Sequence, residues 1–467
     1  MNGLRRAIVL TILTCMLLLA GGCSIKTSTS KTIDKTDLSQ QQSLEPSVNT
    51  RPQQQQMQKS QMPEQIITSI PSASTGQNGI AVGIILPQKQ RYKQGAPVAI
   101  GVAGGHGPAG PTGQMDLVEC GFIEVRFGFP TGNYYDYRGP NCVLALRDVI
   151  LFVMGRTTDL KGRKFQDIAG NIKVLTSNVG LIGESHGGNT CGAVMGLHGN
   201  NFRNLAFYVS MESPYGQGAA GVELGAREDG LNPAYGPQTG TLDLSKLAFD
   251  PNLPGHSFEL AEEDKLKGSL FFDMDSDGTY NPGADFIARM LAFDLGRGRK
   301  CFWSTRLITE AKRRKLFPKN RPVHIPTLAE TIEFWRCRDA TGLIPAAVRN
   351  IPNIAIIVVA SKNDHVQIAP DHPHIYIQVN AFKKASASFI RLNPDRAYTQ
   401  SFLDEERTSL VDNDAGLEYG PGNIQPALAP NDMMTALMQA AACELADRTR
   451  TGNFEPNLDS LLFPPIP

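Results

Sequence analysis

Residues 180–190 read GLIGESHGGNT, and the fold turns on Ser185, at the centre of Gly183-Glu184-Ser185-His186-Gly187. Either it stands at a strand-to-helix elbow or it belongs to an ordinary glycine-rich turn. The flanks favour the elbow. Upstream, IKVLTSNVGLIGE (172–184) is an apolar run that predicts a strand, and downstream GGNTCGAVMGLHG (187–199) predicts the start of a helix. Such an elbow strains the residue at its apex and needs small residues two positions before and after it, because the neighbouring backbones crowd there. Gly183 and Gly187 supply these, and Gly188 lets the new helix approach the sheet. The N–H of His186 then faces any oxygen gaining charge beside Ser185, aided by the helix N-terminus.

Outward from the elbow, strands and helices alternate. Strands are predicted in GIAVGIILP (79–87), at the start of APVAIGVAGGHGPAG (96–110), and in GFIEVRFGFP (121–130), RNLAFYVSMESPYG (203–216), IPNIAIIVVASKNDH (351–365) and ASFIRLN (387–393). Helical spacing marks CVLALRDVILFVMG (142–155) and HPHIYIQVNAFKKAS (372–386). This alternation predicts an α/β fold with a doubly wound, mostly parallel sheet, whose sites lie at the C-terminal ends of strands. Between 217 and 350 the alternation stops for longer than a simple connection allows, which predicts an inserted cap. After 394 one further helix is expected, in NDMMTALMQAAACELADRTR (431–450).

The chain has 467 residues, 41% apolar and 19% charged, with zero formal net charge. No overall field or motif points to nucleic acid. Arg5, Arg6, the mainly apolar stretch 7–20 and Ala20-Gly21-Gly22-Cys23 form an export signal. It resembles a bacterial lipoprotein signal, which implies lipidation of Cys23 and a membrane-anchored protein of the cell envelope. Residues 24–77 are rich in Ser, Thr, Gln and Lys, too polar to fold, and read as a tether. The expected map is therefore a signal at 1–22, a tether at 23–77, an α/β domain from 78–216 and 351–467, and a cap at 217–350. Beyond Cys15 and Cys23, six cysteines remain, an even count that permits disulfides without fixing their connectivity.

On the elbow and on VVASKNDHVQIAPDHPH (358–374), the sequence resembles the α/β-hydrolase superfamily, especially its prolyl-oligopeptidase-like and dienelactone-hydrolase-like branches. The resemblance implies a serine hydrolase of ester or peptide bonds with Ser185 as nucleophile. It implies an oxyanion site built from the His186 N–H and, through His106-Gly107 in VAGGHGPAG (102–110), from the Gly107 N–H; Pro108 has none to offer. Asp364, in Asp364-His365-Val366, matches the triad acid, with Glu212 as a competitor. The resemblance places the histidine after the last strand, but IRLNPDRAYTQSF (390–402) contains none and none follows His374. His365 is taken as the base. His186, His256 and His324 stand as alternatives, as does replacement by Tyr398 or Arg396. His198, His372 and His374 read as surface or capping residues. An inactive α/β-hydrolase-like lipoprotein with a binding or scaffold role is the competing reading.

FFDMDSDGTYNPGADF (271–286) carries alternating carboxylates and a glycine, as calcium loops do. The expected ligands are Asp273, Asp275, Asp277, the Thr279 carbonyl and Asp285, with Ca²⁺ in a structural role. The basic run RGRKCFWSTRLITEAKRRK (297–315) reads as a solvated helix face.

Overall fold

The computed structural model describes residues 64–455, except 114, 218–220, 226–229, 256–265, 297, 365, 412–419 and 422–427. Its frame is built from β1 (Gln65–Ile70), β2 (Ile80–Ile85), β3 (Ala96–Val102), β4 (Ile123–Phe127), β5 (Val174–Glu184) and β6 (Phe207–Met211). The insertion that follows holds β7 (Tyr235–Gly236), β8 (Thr241–Leu242), β9 (Leu247–Pro254), β10 (Lys267–Phe272), β11 (Phe286–Ile287), β12 (Leu291–Asp294) and β13 (Arg299–Phe302). The frame then resumes with β14 (Ala355–Val359) and β15 (Phe389–Leu392). The longer helices are α1 (Pro140–Val153), α2 (His186–His198), α3 (Thr305–Arg313), α4 (Leu328–Arg338), α5 (Ile344–Asn350), α6 (Pro373–Lys384) and α7 (Met434–Thr451).

Eight strands make one sheet in the order β1-β2-β4-β3-β5-β6-β14-β15. β2 runs antiparallel to both β1 and β4, and from β4 to β15 all pairings are parallel. The expected doubly wound, mostly parallel α/β sheet is present. Successive residues feed opposite faces, as strand geometry requires. Leu181, Tyr208 and Ile356 join α1, α2, α5 and α6 in one core. Ile182, Val209 and Ile357 join α7 in the other. A sheet covered on both faces needs strands that are apolar at every position, and all five residues of β14 are buried. The chain leaves β3 toward β4 on one side and leaves β5 toward β6 on the other. The crevice at the C-terminal ends of adjacent β3 and β5 is thus the switch point where such sheets bind ligands.

Two boundaries and the character of the insertion differ from the sequence map. β1 lies inside the segment read as tether: its six residues pair with β2 from Gln65↔Ile85 to Ile70↔Ile80, so hydrogen bonding holds a segment whose composition looked unable to fold. The insertion is not irregular. β9, β10 and β11 form a sheet, β12 and β13 a hairpin, and Leu270, Phe272, Trp303 and Leu307 sit in a separate apolar core. The main core also resumes before 351, because Cys337, Ala340, Ile344 and Ala347 pack into it. The six cysteines of the described chain are buried thiols with no disulfide among them. No helix among the described residues is long and apolar enough to cross a membrane. Cys23 and the expected signal lie outside the described residues.

Candidate active site

β5 ends at Glu184, α2 begins at His186, and Ser185 between them holds φ 47° and ψ −124°. A non-glycine residue in that region is strained, and it persists only where its surroundings fix it. They do so here. Ser185 N–H donates to the Met211 carbonyl at 2.7 Å, and its own carbonyl accepts from Gly188 N–H at 2.9 Å. The close approach predicted for the glycines is real. A Cβ on Gly187 would begin 2.1 Å from the Val102 carbonyl oxygen, and one on Gly188 would begin 1.7 Å from Ser213 Oγ.

The loop after β3 reaches the elbow at Gly104, where an added Cβ would lie 3.0 Å from Ser185 Cβ. Gly107 is exposed, with nothing within 4 Å of its Cβ position, so the contact falls three residues before the one expected to make it. Buried Arg138 donates from Nη2 to the Gly104 carbonyl at 2.7 Å and from Nε to the Gly105 carbonyl at 2.8 Å. Tyr135 Oη donates to the His106 carbonyl. A trans peptide sets each carbonyl antiparallel to the next N–H. Holding these three carbonyls therefore turns the N–H groups of Gly105, His106 and Gly107 the opposite way. His186 heads α2, where a first N–H has no acceptor within its own helix.

The His186 ring is buried against His106, with ring centroids 4.1 Å apart. Burial, then His106, Arg138 and Arg338, holds its pKa well below the usual histidine value, so the ring is neutral.

Glu212 follows β6, the strand beside β5, and Asp364 follows β14, the strand beyond β6. Glu212 follows Met211 directly, its backbone N–H donates to the Val359 carbonyl at 3.0 Å, and its Oε1 accepts from Ser361 Oγ and from Ser361 N–H at 3.0 Å. Its pKa is raised, first by burial and then by Asp364.

The imidazole near these carboxylates is His374, at the start of α6. Its Nε2 lies 3.1 Å from Asp364 Oδ2, and both side chains are almost wholly buried. Gln378, one turn along α6, donates to Ser210 Oγ on β6 at 2.8 Å, which seats this face of the helix over β6. Neither ring nitrogen of His374 makes a hydrogen bond among the described residues, so Nε2 meets Asp364 Oδ2 as a close contact and not as an aligned hydrogen bond.

His374 and its neighbour His372 were both read from sequence as surface or capping groups. Both are buried; His372 holds the N-cap position of α6 without a side-chain cap bond, and His374 lies against Asp364. The signal that could have found it was chain order, since Ser185, Asp364 and His374 follow the sequence nucleophile, acid, histidine of elbow enzymes. His365 and His256 lie outside the described residues. His324 sits in the cap beside Gly268 and Lys267. Tyr398 Oη donates to Asp447 at 2.8 Å, which commits it to α7.

In the loop between β10 and β11, the carboxylates of Asp273, Asp275 and Asp277 converge within 4.8 Å. Asn281 Nδ2 donates to both Asp275 and Asp277 at 2.9 Å, and Asp285 accepts the backbone N–H groups of Met274 and Asn281 at 2.8 Å. Thr279 N–H donates to Asp277 Oδ1 at 2.7 Å, and Gly278 takes φ +82°.

No family model matches the chain, and no curated protein matches it. Solved structures do. Esterases from the fungus Rhizomucor miehei are 11% identical with a TM-score of 0.39, over 84% of this chain and 87% of theirs. Brefeldin A esterase, described as a bacterial homologue of human hormone sensitive lipase, is 13% identical with a TM-score of 0.37, over 83% of this chain and 78% of its own. An arylesterase is 17% identical with a TM-score of 0.27 over 34% of this chain, and the match spans 48% of the arylesterase.

Proposed function

We propose that the chain is a serine hydrolase of carboxylic esters, with Ser185 as nucleophile, His374 as base and Asp364 as acid. The observation that carries this reading is the buried His374–Asp364 pair, 3.1 Å apart, at the C-terminal side of β14, two strands from the β5 end that leads to strained Ser185. Ser185 Oγ adds to the ester carbonyl while His374 takes its proton. The new C–O bond puts negative charge on the carbonyl oxygen, which accepts from the His186 N–H and from the N–H groups of the 105–107 loop. Collapse breaks the bond to the alcohol, which leaves with the proton from His374. Water, deprotonated by the same histidine, then frees the acid and restores Ser185. Asp364 orients the imidazole and offsets its charge.

Fluorophosphonate labelling tests this. Wild type labels, Ser185→Ala does not, and His374→Ala labels at least a hundredfold more slowly, in keeping with the loss of a general base. A folded wild type that does not label would overturn the reading and favour the binding role.

The protein is further proposed to be exported and anchored to a membrane of the cell envelope through lipidated Cys23, which the charged, apolar and small-residue pattern of 1–23 supports. The 273–285 loop is proposed to hold a structural Ca²⁺ through Asp273, Asp275 and Asp277, with Thr279 and Asp285 completing the oxygen set; three converging carboxylates favour a hard cation there. Adding calcium to chelator-treated protein should raise the melting temperature by several degrees, and Asp275→Asn should abolish the rise. An equal rise in the variant would sink the assignment.

A further inference from the structure

A cavity of about 530 Å³ opens between α4, the β12–β13 hairpin and the start of α1. That volume lies within the range of small-molecule sites. Its inner wall is aromatic. Phe302 and Phe334 stack face to face, with centroids 3.9 Å apart and planes 3° from parallel, and Phe293 stands 6.1 Å from Phe334. All three are buried.

The charged groups of the wall are already engaged. Asp136 accepts from the N–H groups of Gly139, Asn141 and Cys142 at the head of α1. Arg338 donates to the carbonyls of Tyr137, Phe334 and Asp136. Lys300 pairs with Glu330, and Glu333 pairs with Arg336. A charged ligand would compete with these pairings, whereas a neutral aromatic ring needs only the ring edges that the Phe302–Phe334 stack and the Arg338 guanidinium, 4.3 Å over Phe334, leave open.

Two links join the cavity to the elbow. Phe293 packs on His106 with centroids 5.4 Å apart, and His106 packs on His186, the residue after Ser185. The segment 136–140 that walls the cavity also carries Arg138, which holds the carbonyls of the loop beside Ser185.

We infer that this cavity binds the aromatic portion of a neutral ester, so that the preferred substrates are uncharged esters with an aromatic ring in the acyl or alcohol part. The inference rests on the hydrolase reading for the word substrate, but not for the binding. The chain's only two tryptophans stand behind the cavity wall, close enough to report on it. Trp335 stands edge-on to Phe334 at 5.1 Å, and its indole N–H donates to the Trp303 carbonyl at 2.8 Å.

The experiment titrates 4-nitrobenzyl alcohol into full-length Ser185→Ala protein and follows tryptophan quenching, with hexanol as the aliphatic control. Saturable quenching is expected, at least tenfold weaker when Ala329→Phe is added. Ala329 is exposed and lines the cavity, so the added ring blocks the opening without entering the core. Phe293→Leu keeps apolar bulk, removes one ring, and should also weaken binding. In protein with an intact Ser185, the ratio of kcat/KM for benzyl acetate over ethyl acetate should fall at least tenfold in Ala329→Phe. Quenching that is linear, or the same in Ala329→Phe, overturns the inference. Saturable, cavity-dependent quenching in a protein whose Ser185 does not label would keep the aromatic site but overturn its occupant as a substrate, and the hydrolase reading would fail separately.

Discussion

At the scale of single residues, His372 makes a charge-dependent prediction that is separate from catalysis. It is buried beside His374 and held at φ 41° and ψ 60°. Burial first, then the neighbouring His374, pushes its pKa down to about 4, while Asp364 and a hydrogen bond to the Lys362 backbone pull weakly upward. Between its ordinary value near 6.5 and about 4, the unfolded chain therefore binds a proton that the folded chain refuses. Stability falls as pH drops through that window, by about 3 kcal/mol for a shift of this size, and the loss is complete below it. Glu212 and Asp371, whose pKa values are raised by burial, act in the opposite sense. The comparison with His372→Asn isolates the histidine, since asparagine tolerates the left-handed backbone. Urea unfolding from pH 7 to pH 4 should show the variant losing less stability than wild type by that amount. Parallel curves would remove His372 from the account.

At the scale of elements, the elbow is a contact between a strand end and a helix start with no room for a side chain. Gly188→Ala drives a methyl group into Ser213 Oγ, on the segment that leaves β6. We expect a loss of about 1–3 kcal/mol from overpacking, with fluorophosphonate labelling falling further than stability does, because α2 must shift relative to Ser185. Equal labelling in a folded variant would contradict that coupling. The same elements explain what the sequence could and could not tell. β5, β6 and β14 were legible because a sheet buried on both faces demands unbroken apolar runs. β1 was not, since QIITSI is a short edge strand in which Ile67 is exposed and only Thr68 and Ile70 are buried, so it shows no clean alternation. The cap strands β7, β8 and β11 have two residues each, too short for any periodicity. Ser185 and Asp364 could be placed from local pattern alone. His374 could not, because the turn between β14 and α6 brings it to Asp364, and a pattern that expects histidine after the last strand looks past it.

At the scale of the whole molecule, the proposed machinery is divided by the insertion: Ser185 and Glu212 precede it, while Asp364 and His374 follow it. β6 and β14 nevertheless run side by side, paired from Phe207↔Ala355 to Met211↔Val359, so the frame closes over its own interruption. The frame's other limit lies at β1, and it bears on how the protein can be handled. The composition boundary near residue 78 suggests a natural place to trim the chain. Trimming there would strip β1 from β2 and leave Ile80-Ala81-Val82-Gly83-Ile84-Ile85 as an open edge. Val82 and Ile84 on that strand are fully covered in the intact protein. An unpaired, uncharged, β-branched edge is a template for another copy of itself. A chain beginning at residue 61 should remain monodisperse by light scattering, whereas one beginning at 79 should associate, even though every proposed active-site residue is present in both.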